Sequence, residues 1–142
     1  MITEKQKITI GIDPDKIESG FSVYYKTTGE LSLFQYDLFD LFTKLLWYKL
    51  RYDVKVRLEA GHNVKKFWQR RTVGVAKSVG ENNNVGYQIE RLLIKHNIHF
   101  ELVEPCGLSN YTHDQFCSIT KWDKKIKTNP EKRVAGLLAY KR

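Results

Sequence analysis

The chain has 142 residues, 42% hydrophobic and 28% charged, and its 24 Lys and Arg against 16 Asp and Glu give a formal net charge of +8. That size and balance describe one domain, 1–142, with a single core, and they exclude a low-complexity disordered chain. No apolar run approaches the roughly 20 residues of a membrane crossing, so a membrane partner is not expected.

The excess of cations points to a polyanionic partner. Cys106 and Cys117 are too far apart for a Cys-x-x-Cys pair, and Met1–Lys7 offers no apolar signal-peptide core. A soluble, cytoplasmic protein with reduced thiols is therefore expected.

In chain order, alternating apolar residues predict strands at about 7–12, 20–26 and 30–36, joined by turns at Pro14–Ser19 and Thr27–Gly29, as an antiparallel meander. Leu38, Leu41, Phe42, Leu45, Leu46 and Leu50 follow helical spacing, with Asp37 placed to cap the helix. A strand at 54–58 comes next, and strand, helix, strand in this order predicts a crossover with parallel strands.

Residues 61–80 lack clean periodicity and read as a long basic loop with at most one helical turn. Glu81-Asn82-Asn83-Asn84 resembles a helix start, and Val85, Ile89, Leu92, Leu93 and His96 mark one face of that helix. A strand is expected at 98–103, a loop at 105–111 and a short helix at about 113–120. After the basic turn Lys121–Thr128, Asn129 suits an N-cap, Pro130 the first helical position and Glu131 the first turn of a last helix.

Two strands end in carboxylates. Ile8, Ile10 and Ile12 share a face and Asp13 follows them; Val54, Val56 and Leu58 alternate and Glu59 follows them. If the two strands lie side by side and parallel, about 4.8 Å apart, both acids meet at one sheet edge. Two hard-oxygen groups beside a basic segment suggest divalent-metal chemistry on a polyanion. Each acid alone has a plainer reading: Asp13-Pro14 is a good turn former, and Glu59 suits an exposed strand end.

The chain resembles RuvC-type Holliday junction resolvases, and more closely the small RuvC-like endonucleases of phages and bacteria. The resemblance is carried by Gly11-Ile12-Asp13-Pro14 with Ser19-Gly20, by Leu58-Glu59, by Gly80-Glu81-Asn82 with Val85-Gly86, and by Gln115-Phe116, Ile119-Thr120-Lys121-Trp122, Thr128-Asn129 and Arg133. It implies an α/β, ribonuclease H-like mixed five-stranded sheet, antiparallel across strands 1–3 and parallel at strands 4–5, with flanking helices. It also implies cleavage of four-way or branched DNA by a homodimer, with Mg²⁺ or Mn²⁺ held by four carboxylates. Asp13 and Glu59 match two of these and Glu131 a third, as metal ligands and catalytic residues.

The fourth position, an Asp in the family, is Val134 here. A valine cannot bind a hard cation, so either three carboxylates suffice or the chain is a weak or inactive nuclease that still binds branched DNA. Glu131 also has a plain role, since an acid in a first turn complements the helix dipole by about 0.3–1 kcal/mol. An enzyme acting on RNA–DNA hybrid is a further alternative. Asp15 is expected to point into solvent, His62 to be a solvated loop residue, and His96 and His99 to be structural or exposed.

The expected DNA contacts fall in two sets. From Ala60 to Gly80 there is no acid, and Asn63, Lys65, Lys66, Phe67, Trp68, Arg70 and Arg71 combine phosphate-neutralising cations with rings able to stack on unpaired bases. Phe67 and Trp68 could equally anchor the loop to the core. The second set is Lys121, Lys124, Lys125 and Lys127, just before the last helix.

Overall fold

The computed structural model describes residues 4–63 and 73–142. Strands β1 (Lys7–Asp13), β2 (Ser19–Tyr25) and β3 (Leu31–Tyr36) form the antiparallel meander. Helix α1 (Leu38–Arg51), capped by the Asp37 side chain accepting from Asp40 N, crosses to β4 (Asp53–Glu59). After a 3₁₀ turn at Gly61–Asn63, helix α2 (Val73–Lys95) leads to β5 (His99–Val103). Helices α3 (His113–Thr120) and α4 (Pro130–Ala139) complete the described chain.

The sheet order is β3-β2-β1-β4-β5, with β1, β4 and β5 mutually parallel. Central strand β1 is buried from Ile8 to Ile12 because both its faces are covered. On one face Ile8, Ile10 and Ile12 pack into a core with Leu41 and Leu45 of α1 and Ile89 and Leu93 of α2.

On the other face α4 approaches so closely that side chains are excluded. A Cβ on Gly11 would lie 2.1 Å from the Ala135 carbonyl oxygen, and one on Gly20 would lie 2.1 Å from that of Glu131. Ser22 Oγ seals this contact, donating to Ala135 O at 2.6 Å and accepting from Gly11 N at 3.2 Å.

One element departs from expectation. Helix α2 begins at Val73, eight residues before Glu81, so part of the expected loop is helical. Gly74, Gly80 and three successive asparagines depress helix propensity and hide the start. Tertiary contacts outweigh that: Asn82 Oδ1 accepts from Lys16 N at 2.8 Å, and Lys16 pairs with Glu81 at 3.4 Å. Asn82 therefore holds the β1–β2 turn and does not cap the helix. No described helix is long and apolar enough to cross a membrane.

Candidate functional site

Ile12 pairs with Leu58 in the parallel β1–β4 register, which leaves Asp13 and Glu59 side by side at the strand ends. Their carboxyls lie within hydrogen-bonding reach of one another. Burial, then the charges of Glu59, Glu131 and Asp15, raise Asp13 to about 8, and every contribution has the same sign. Burial also raises Glu59, with the Asp13 hydrogen bond partly opposing it.

Glu131 reaches this edge because of Gly20. Gly20 pairs with Asp13 across β1 and β2, and the Glu131 backbone lies against it. The Asn129 side chain caps α4 by accepting from Lys132 N at 2.9 Å and ties its N-terminus to the sheet by donating to Gln35 Oε1 of β3 at 2.7 Å. Ala135 covers β1, while Gly136 faces Leu33 of β3 and Phe116 of α3. A helix turns about 100° per residue, which leaves Val134 on the flank toward β4, where it is 2% exposed. Glu131 lies one turn earlier on that flank.

Asp13 and Glu59 form a contacting pair, and Glu131 acts on Asp13 through its charge. Among the described residues no three His, Cys, Asp or Glu side chains gather tightly enough to hold a metal as they stand. The donor set nevertheless suits a hard divalent cation. Burial raises the pKa of both half-buried carboxyls, which disfavours their charged forms, and a cation would offset that penalty.

Other expectations change. Asp15 is half-buried in the turn, where its Oδ2 accepts from Ile17 N at 3.1 Å; it does not simply face solvent. His62 is 5% exposed and is not a solvated loop residue. Its Nε2 lies 3.4 Å from Glu90 Oε2, its ring meets Tyr87 edge-on at 4.7 Å, and the Tyr87 hydroxyl donates to its carbonyl. A Cβ on Gly86 would come within 2.6 Å of His62 Nδ1, so the glycine in α2 makes room for the imidazole. His96 and His99 are half-buried and exposed; the His96 carbonyl accepts from Lys49 Nζ.

Lys65, Lys66, Phe67, Trp68, Arg70 and Arg71 lie outside the described residues, and Asn63 ends the 3₁₀ turn. Lys121, Lys124, Lys125 and Lys127 are all exposed on the turn that leads into Glu131's helix. A cleft of about 820 Å³ lined by Lys5, Lys7, Lys26 and Lys49 lies at the opposite end of the sheet, at the start of β1. The acid pair is not part of it.

Sequence reasoning missed Ser22, Glu90, Tyr87 and His113. Gly86, an otherwise unfavourable residue inside a helix, was the available signal for the His62 contact.

No family model matches the sequence, and no curated protein matches it significantly. Among solved structures, the chain is similar to T. thermophilus RuvC in complex with a Holliday junction substrate, with a TM-score of 0.56 and 11% identity over 94% of this chain and 90% of that one. At that identity the likeness concerns the fold: a mixed five-stranded sheet of the RuvC, ribonuclease H-like kind with four helices.

Proposed function

We propose that this single-domain chain is a metal-dependent endodeoxyribonuclease acting on four-way or otherwise branched DNA as a homodimer. The observation that carries the reading is the parallel β1–β4 register, which sets the Asp13 and Glu59 carboxyls side by side at one sheet edge, where burial raises the pKa of both. The fold it shares with a RuvC structure bound to a Holliday junction supports branched DNA as substrate.

In this reading Asp13, Glu59 and Glu131 would hold Mg²⁺ or Mn²⁺. A bound divalent ion would lower the pKa of attacking water and stabilise the leaving oxygen of a phosphodiester. Asp13, its pKa raised to about 8, would have to lose its proton to serve as a ligand. The lysines of the 121–128 turn neutralise backbone phosphates, as do the cations of 64–72. Phe67 and Trp68 supply rings for unpaired bases at the branch.

A second reading, a branched-DNA binder with weak or no cleavage, is favoured by Val134, which is buried and offers no oxygen where the resembled family has an Asp. Incubating a labelled four-way junction with the protein, with and without Mg²⁺ or Mn²⁺, separates the two. Metal-dependent paired nicks support the nuclease. Binding without nicks, followed by at least about tenfold faster cleavage in Val134→Asp (over 1.4 kcal/mol of barrier), supports the weakened site. Faster cutting of an RNA–DNA hybrid than of the junction would overturn the substrate assignment.

A further inference from the structure

The turn between α3 and α4 has little regular structure, yet its backbone is tied down. Lys121 ends α3 in the left-handed conformation, φ 64°. Asp123 Oδ1 accepts from Lys125 N at 3.0 Å, and Ile126 N donates to Asp123 O at 3.0 Å. The Trp122 indole N–H donates to Ile126 O at 3.0 Å, and its ring packs on Phe116.

A side chain from α3 grips the same turn. His113 Nε2 is 2.9 Å from the Lys124 carbonyl oxygen and Nδ1 is 2.8 Å from Thr128 Oγ1, with Cys117 Sγ 3.5 Å from Nε2. A carbonyl only accepts, so Nε2 carries a proton and donates. In the neutral ring Nδ1 then accepts the Thr128 hydroxyl proton. Thr128 Oγ1 in turn accepts from an Arg133 guanidinium N–H at 3.2 Å, while Arg133 Nε donates to Tyr111 O at 3.0 Å. Donors thus run in one direction, from Arg133 of α4 through Thr128 and His113 to the Lys124 backbone.

We propose that His113 is a positioning residue that presets Lys121, Lys124, Lys125 and Lys127 as a phosphate-binding turn and ties that turn to the helix bearing Glu131. The inference rests on the branched-DNA reading above and adds the residue through which the turn is organised. Four exposed lysines on a loose turn would each lose freedom on binding; a turn already fixed at Lys124 and Thr128 avoids part of that cost. The network also makes the turn and the first residues of α4 move as one unit, so phosphate contact and Glu131 placement are coupled.

The test compares the wild-type protein, His113→Ala and His113→Gln, each with and without Lys124→Ala plus Lys125→Ala. The slope of log affinity against log salt is read on a four-way junction, together with hydrogen exchange of residues 121–128 and the melting temperature. Removing the two lysines from the wild type should reduce the slope by about 1.8, at roughly 0.9 per phosphate contact. His113→Ala should weaken binding about tenfold at fixed salt, speed exchange across the turn, and make the lysine removal cost less than about half as much, a non-additivity expected of coupled groups. His113→Gln, whose amide keeps a donor for the Lys124 carbonyl, should recover part of the affinity, and it carries the comparison if the alanine variant does not fold. A lowered melting temperature with unchanged slope and additive lysine effects would overturn the proposal in favour of a purely structural role. Failure of the wild type to bind the junction would overturn the branched-DNA reading itself, and this inference with it.

Discussion

Asp13 sets the acid–base behaviour of the site. Its carboxyl, raised to about 8 by burial and by three neighbouring acids, keeps a proton in the folded chain that the unfolded chain releases near 3.8. Between these values the folded state binds more protons, so the stability of metal-free protein should fall as pH rises from about 4 to about 8. Melting curves in chelator across that range should show the decline, Mg²⁺ should remove it, and Asp13→Asn should flatten it. An equal decline in Asp13→Asn would assign the effect to other groups.

His62 illustrates what residue type alone conceals. Close after Glu59 in sequence it suggested a solvated loop imidazole, but the space opened by Gly86 and the bond to Glu90 turn it inward. Its partners sit 24 to 28 residues away, so the contact depends on how α2 packs against the chain after β4.

At the scale of elements, hydrophobic period and capping residues made β1 to β5, α1, α3 and α4 legible, because each pairs a clear pattern with a stop signal. The strand ends differ from expectation by one residue at most places, and Asp37, Thr112 and Asn129 all cap through their side chains. Helix α2 was legible only from about Glu81 onward, just before its core-facing period begins at Val85; its first turns carry glycines and asparagines held by contacts that periodicity does not encode.

Gly11 and Gly20 had been readable only as motif residues, and the close approach of α4 gives them a physical reason. Adding one methyl at Gly20 drives a carbon into the Glu131 carbonyl, which backbone cannot yield cheaply. Gly20→Ala should cost about 3 kcal/mol or more by denaturant titration. It should also draw Glu131 away from Asp13, so the decline in stability between pH 4 and 8 becomes shallower. An unchanged melting profile would mean that α4 has a less intimate seat than its geometry implies.

For the whole molecule, the fold brings one edge to bear on function. The ends of β1 and β4 and the N-terminus of α4 converge there, while a cleft of about 820 Å³ lies at the other end. The parallel pairing of β1 with β4 could be argued from the crossover, and with it the meeting of Asp13 and Glu59. The convergence of Glu131 could not be argued from spacing alone, because it depends on two glycines letting a helix touch the sheet.

Calorimetric titration of Mn²⁺ into the metal-free protein near pH 7 asks whether this acid pair is a divalent-cation site. Run in buffers of different ionisation enthalpy, the titration counts protons released per ion bound. With Asp13 raised to about 8, binding at that pH should release close to one proton, and both binding and release should be lost in Asp13→Asn and Glu59→Gln. Mn²⁺ binding that releases no proton and survives both substitutions would contradict a cation site at this pair.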